Sequence, residues 1–310
     1  MAGRLASAAM STAAPGSSTQ GMSEPDLAGA AGLSQRYPVW LCDVWGVVHN
    51  GERAFPAALD CLACHRKAGG AVILITNAPR PSAAIRPQLD RLGVPRGCYD
   101  HIVSSGDVTR ALVAQWLGRR AHHIGPERDL GLLEGIAVEW VDLKDAEAVV
   151  CSGLVDDETE NPEDYDGLLQ AMRRRDLEMI CANPDKVVQK GARLIPCAGA
   201  LAERYEALGG RVRMAGKPFA PIYEEALRLA AEALGRPAGR SELLAIGDGL
   251  ATDAQGARNN NLALLFIAGG IHGGDLAAAD RPAMAAAVHR AAPGVELAGA
   301  MRALSWAGKD

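Results

Sequence analysis

The chain has 310 residues, 48% of them hydrophobic and 22% charged, which is enough apolar material for one large core or two modest ones. A net charge of −5 argues against a polyanion-binding surface, and no apolar run reaches the roughly 18 to 20 residues that cross a bilayer, so neither nucleic acid nor membrane is expected as a partner. Seven cysteines, an odd number spread through apolar stretches, read as buried thiols rather than a disulfide framework and point to a reducing, cytoplasmic setting.

Residues 1–34 are rich in Ala, Ser and Gly without an apolar period and read as a flexible N-terminal tail. They carry neither the continuous apolar core of a signal peptide nor the basic residues of a transit peptide, Arg4 being the only basic residue before Arg36. From Tyr37 the pattern changes. Residues 39–42 and 71–75 read as buried parallel strands, joined by a helix at 57–68 whose Ala58, Cys61, Leu62 and His65 share a face. Further strands are expected at 101–104, 121–124, 147–151, 178–182, 211–214, 243–246 and 262–267. Helices are expected at 81–92, 107–117, 163–174, 198–208, 220–234 and 251–259. The alternation predicts an α/β fold around a Rossmann-like parallel sheet.

Four polar clusters each fall just past a predicted strand, where ligands collect in open α/β sheets. They are Asp43 with Val44-Trp45-Gly46; Thr76-Asn77; Gly216-Lys217-Pro218; and Gly247-Asp248-Gly249 with Asp253. Singly, each also reads as a cap or a turn. Together they supply a carboxylate nucleophile, a hydroxyl and an amide for phosphoryl oxygens, a cation, and further carboxylates for a hard metal ion. A dinucleotide-binding oxidoreductase fits less well, because Asp43-Val44-Trp45-Gly46 stands where Gly-x-Gly-x-x-Gly would follow the first strand.

In this order the four motifs resemble those of the haloacid dehalogenase-like (HAD) hydrolases, specifically subfamily IIA and a bacterial branch with an Asp-x-Trp-Gly first motif. The resemblance extends over about 36–275 and includes Cys181-Ala182-Asn183-Pro184-Asp185 and Cys197-Ala198-Gly199-Ala200-Leu201. It implies a HAD core at 35–106 and 214–310, with a large α/β cap inserted at 107–213. It also implies Asp43 as the nucleophile that becomes an aspartyl phosphate, Thr76 and Asn77 as phosphate-binding groups, and Lys217 as the neutralising cation. Mg²⁺ would be held by Asp43, the Trp45 backbone carbonyl and Asp248, with Asp253 behind them. Asn183, Asp185 and Lys186 would reach the far end of the substrate. The expected activity is hydrolysis of a small phosphomonoester, a sugar- or metabolite-phosphate; the alternative is a slow or non-catalytic phosphate-ester binding protein. A homodimer is compatible with either.

Most phosphatases of that family carry a second Asp two residues after the nucleophile as general acid and base, and here the position is Trp45. His49 is the nearest titratable substitute, though it reads more readily as a turn histidine before Asn50-Gly51. Cys61-Leu62-Ala63-Cys64-His65 matches a haem-attachment string but lies inside a predicted helix and reads as core. The neighbours His122 and His123 would point to opposite faces of a strand, which argues against a joint metal site.

Overall fold

The computed structural model describes residues 29–190, 193–270, 276 and 278–307. The chain begins with α1 (Ala31–Arg36) and then β1 (Val39–Asp43), α2 (Pro56–Lys67), β2 (Ala71–Thr76), α3 (Ser82–Arg91), β3 (His101–Ser104) and α4 (Ser105–Ala114). A second set follows: β4 (Arg120–Ile124), β5 (Glu139–Trp140), β6 (Ala148–Cys151), α5 (Asp166–Arg174), β7 (Glu178–Cys181), β8 (Val187–Lys190), β9 (Arg193–Pro196), α6 (Ala198–Ala207) and β10 (Arg211–Met214). The chain then supplies α7 (Ala220–Leu234), β11 (Leu243–Gly247), α8 (Gln255–Asn259), β12 (Ala263–Ile267), α9 (Arg281–Ala291) and β13 (Glu296–Met301).

Six strands form one parallel sheet in the order β13-β12-β11-β1-β2-β3. In β1, β2, β11 and β12 every residue is buried, which is why they read as unbroken apolar runs: helices cover both faces of the sheet. Leu41, Ile73 and Leu264 face one layer with Ile222 and Val288, while Trp40, Leu74 and Leu265 face the other with Leu62 and Leu89. From β1 the chain moves outward through β2 and β3, and it later adds β11, β12 and β13 on the opposite side. The direction therefore switches between β1 and β11, and a crevice opens at their C-terminal ends.

A second, five-stranded parallel sheet has the order β10-β7-β6-β4-β5 and lies wholly within residues 120–214, with β8 and β9 as an antiparallel hairpin. One of its faces packs Val149 and Met179 on Leu169, Met172 and Leu201 of α5 and α6; on the other, Ala121, Val150 and Ile180 join Val108, Leu112 and Val113 of α4. α4 starts at Ser105, so the sequence boundary at 106/107 falls inside a continuous helix with a full capping box from Ser104 and Asp107.

Residues 1–28 of the predicted tail lie outside the described residues. The end of that stretch departs from the expectation: Ala30 and Leu33 are buried, and the backbone N–H groups of Ala30 and Ala31 donate to the carbonyls of Ser305 and Trp306. Ser34 Oγ bonds His65 Nδ1 at 2.7 Å, and the His65 ring stacks on Trp40 at 3.9 Å. The histidine of the haem-like string is thus a core residue, and all seven cysteines are free thiols. His122 bonds the Val141 carbonyl and His123 bonds Ser152 Oγ, each at 2.9 Å on its own side of β4.

Candidate active site

Asp43 closes β1, Asp248 follows β11, and both sit at the switch between those strands with 6% and 1% exposure. The loop after Asp43 turns at Gly46, whose φ of +86° suits glycine and whose N–H donates to the His49 carbonyl. A side chain there would also collide with the Asp248 carboxylate, so the glycine lets the loop close on that acid. Asp253 lies in a π-helical turn, Leu250–Ala254, in which the Ala254 N–H reaches back five residues to the Gly249 carbonyl. The Gly249 N–H donates to Asp253 Oδ2 and fixes that carboxylate.

Lys217 arrives from the loop between β10 and α7 and is 3% exposed. Its Nζ lies 2.6 Å from Asp43 Oδ1 and 2.8 Å from Asp253 Oδ1. Asp43, Asp248 and Asp253 offer oxygens all within 4.8 Å of one another. Burial pushes the Asp43 carboxyl well above the usual carboxylate range; Asp253 and Asp248 add to this, and Lys217 opposes it. Burial works against the Lys217 charge too, but Asp253 and Asp43 outweigh it and hold the ammonium well above the ordinary lysine range. Three carboxylates against one ammonium leave an excess of two negative charges, and hard oxygen donors in that balance match a divalent cation of the Ca²⁺ or Mg²⁺ type.

Thr76 and Asn77 stand at the end of β2, beside this cluster. Thr76 Oγ1 accepts the Ala78 N–H, which leaves its own hydroxyl proton to donate. The Asn77 side chain is fully committed: its Oδ1 accepts the Lys217 N–H at 2.7 Å, and its Nδ2 donates to the Lys217 carbonyl at 3.1 Å and to Asp185 Oδ1 at 2.9 Å. The carboxamide therefore clamps the Lys217 peptide and ties it to the loop after β7. Gly216 is bare where Asn77 and Pro184 close in.

The structure brings Asn183 and Asp185 to this point and turns Lys186 away. Asn183 is buried and accepts the Asp185 N–H, whereas Lys186 is exposed and paired with Glu203 at 2.6 Å. Burial raises the Asp185 carboxyl above its ordinary range, with Asn77 and Lys217 pulling the other way. His49 is buried, accepts the Gly51 N–H at Nδ1 at 2.9 Å, and is held by burial at about 4. Trp45 meets the His49 ring edge-on at 5.4 Å, covers Gly51 and leaves 39% of its surface exposed. Tyr223 of α7, which carries no sequence signal beyond its helix, is buried and senses Asp253, Lys217 and Asp43.

Residues 40–139 match the model of the haloacid dehalogenase-like hydrolases, and residues 214–291 match a HAD-hydrolase-like model. A haloacid dehalogenase-like hydrolase from Brucella suis 1330 is 51% identical, spans 80% of this chain and 95% of its own, and superposes with a TM-score of 0.75. Two more distant structures share the fold. A p-nitrophenyl phosphatase from Archaeoglobus fulgidus has 20% identity, 86% and 97% coverage and a TM-score of 0.67. A glycerol phosphate phosphatase from Mycobacterium tuberculosis, in complex with calcium, has 24% identity, 77% and 68% coverage and a TM-score of 0.59. No curated protein matches the chain. With its carboxylates and lysine gathered at the strand switch and a half-identical relative along nearly the whole of that relative's length, the chain belongs to the haloacid dehalogenase-like hydrolase family.

Proposed function

We propose that this chain is a Mg²⁺-dependent phosphatase of small phosphomonoesters, sugar- or metabolite-phosphates, working through an aspartyl phosphate on Asp43. The observation that carries the reading is the buried Lys217 ammonium set between Asp43 and Asp253, with Asp248 completing a carboxylate group that suits a divalent cation. The phosphatases among its structural neighbours support it. We place the chain in subfamily IIA, in the branch with an Asp-x-Trp-Gly first motif, with the segment 107–213 as a cap over the site, acting in the cytoplasm on a soluble ester.

In this reading Asp43 Oδ attacks phosphorus in line with the departing oxygen, and Lys217 offsets the charge that gathers on the phosphoryl group. The Thr76 hydroxyl and the Asn77 backbone N–H would hold the phosphoryl oxygens, since the Asn77 side chain is committed elsewhere. Asp43, the Trp45 carbonyl and Asp248 would hold Mg²⁺, with Asp253 orienting Lys217 behind them. When bound, the metal supplies positive charge at the phosphoryl oxygens.

Trp45 favours a second reading: with an indole where the family's acid and base commonly stands, the chain would bind phosphate esters and turn them over slowly or not at all. A panel of phosphate esters assayed with Mg²⁺ and with a chelator, beside ligand-binding measurements, separates the two. Chelator-sensitive phosphate release supports the phosphatase; binding of esters without release supports the binding protein. Asp248→Ala should move the Mg²⁺ dependence to much higher concentration, because a hard cation loses an anionic oxygen. An unchanged Mg²⁺ titration in that variant would put the metal elsewhere.

A further inference from the structure

An alkyl phosphate leaves as an alkoxide unless a proton reaches its oxygen, and the side chain at position 45 has no acidic proton to give. Among the described residues beside the Asp43 cluster, and apart from Lys217 and Thr76, which already have roles, Cys42, His49, Tyr223 and Asp185 carry exchangeable protons. The Cys42 thiol is fully buried, donates to the Asp43 carbonyl and is held by burial well above its ordinary range. His49 is neutral near pH 7, since burial holds it at about 4, and its Nδ1 already takes the Gly51 N–H. Tyr223 is 2% exposed, and burial, with Asp253, pushes its phenol far above the ordinary range.

Asp185 differs in three respects. It comes from the loop after β7, so it is carried by the second sheet and not by the strands that carry Asp43 and Asp248, and it meets the first sheet at Asn77. It is only partly buried, unlike Tyr223. Its Oδ1 accepts Asn77 Nδ2 at 2.9 Å, which fixes the carboxyl beside the Lys217 peptide and leaves Oδ2 to hold a proton. Resting on the phosphatase reading above, we propose that Asp185 is the proton donor to the leaving oxygen, supplied by the second sheet in place of the acid missing at position 45.

The charged and titratable groups facing Asp185 are Lys217 and Asp253 on the first-sheet side and Cys181 and Cys197 on its own side. Burial is the largest influence and favours the protonated acid; Asp253 adds to it, while the Asn77 hydrogen bond and Lys217 oppose it. As the bond from Asp43 Oδ to phosphorus forms and the ester P–O bond breaks, the Asp185 proton passes to the departing oxygen and an alcohol leaves. The resulting carboxylate then takes a proton from water as that water's oxygen attacks phosphorus. The Asp43–phosphorus bond breaks, inorganic phosphate leaves, and Asp185 is again protonated.

Leaving-group dependence provides the test. Asp185→Asn keeps an oxygen to accept the Asn77 amide, so the clamp on Lys217 survives while the acid is lost. With Mg²⁺ present, its kcat/KM for glycerol phosphate, an alkyl ester, should fall by roughly 10²- to 10⁴-fold. That for p-nitrophenyl phosphate, whose leaving group departs without a proton, should change little. The wild-type kcat/KM for the alkyl ester should decline as pH rises and Asp185 loses its proton, and this decline should vanish in the variant. Asp185→Glu, which keeps an acid, and Trp45→Asp added to Asp185→Asn should each recover part of the alkyl rate. Because the Trp45 indole is 39% exposed, the latter change opens no core cavity. Equal losses on both esters, or no loss on either, would overturn the role of Asp185 and leave the phosphatase standing. No wild-type turnover of either ester would overturn both.

Discussion

Asp43→Asn should abolish phosphate release, by roughly 10⁴-fold or more, in a protein that folds as well as the parent. The carboxamide is nearly the same size and its oxygen can still accept the Lys217 ammonium, so the geometry at 2.6 Å has no reason to change. What it lacks is a nucleophilic oxygen able to carry a phosphoryl group. Stability should not fall in the absence of metal. The Asp43 carboxyl is held well above its ordinary range by burial, with Asp253 and Asp248 beside it, so at neutral pH its ionisation opposes folding rather than helping it. A neutral side chain removes that cost, and Lys217 keeps Asp253 at 2.8 Å. The check is phosphate release and phosphoprotein trapping on the two proteins, alongside thermal denaturation in chelator. Comparable turnover in the variant would remove Asp43 from the chemistry.

Asp43 and Asp248 are legible in the sequence because each stands at the end of a run of buried strand residues, Val39–Asp43 and Leu243–Gly247, whereas Lys217 follows the exposed to half-buried β10 and is marked only by its Gly216-Lys217-Pro218 turn. What those runs do not carry is the set of long-range partners. The Asn77 carboxamide reads as a phosphate ligand from its place after Thr76, yet its oxygen and nitrogen are spent on a peptide 140 positions away and on Asp185. Lys186 sits next to Asp185, but the chain bends there ahead of β8, and Lys186 finds Glu203 instead. The helix Ala31–Arg36 is too short to show a period, and its burial depends on the 305–306 backbone at the other end of the chain. The β8–β9 hairpin lacks an unbroken apolar run, with Val187 and Leu194 exposed. The edge strand β13 shifts register against β12 at Leu264/Leu265 and has Gly299 in its middle, which weakens any strand pattern. Trp45 was legible as a departure but not as a surface: the indole leans on Gly51 and His49 in a loop instead of filling the core.

Lys217→Met should cost both activity and stability, and the stability loss should depend on pH with a definite sign. The methionine fills much of the lysine stem's volume but leaves Asp43 and Asp253 facing each other, 6% and 4% exposed, without the ammonium that lies between them. Breaking a buried pair by removing one partner costs about 3 to 5 kcal/mol at a pH where the remaining charge stays ionised. Asp43 already sits above its ordinary range with Lys217 present, and losing that opposing cation raises it further. A carboxyl raised in the folded state above its unfolded value imposes its penalty fully above the folded pKa, and the penalty fades as pH falls toward the unfolded value. The gap in denaturation midpoint between variant and wild type should therefore widen as pH rises and narrow as pH falls. Mg²⁺ should stabilise the variant more than the wild type, because a cation held by these carboxylates supplies positive charge that Lys217 no longer supplies. Hydrolysis should drop by roughly 10²- to 10³-fold, the scale of losing one charged contact that stabilises the transition state. Denaturant titrations at several pH values, with and without Mg²⁺, provide the measurement. A gap that stayed constant with pH would mean that the Lys217 ammonium is not what allows these carboxylates to ionise together.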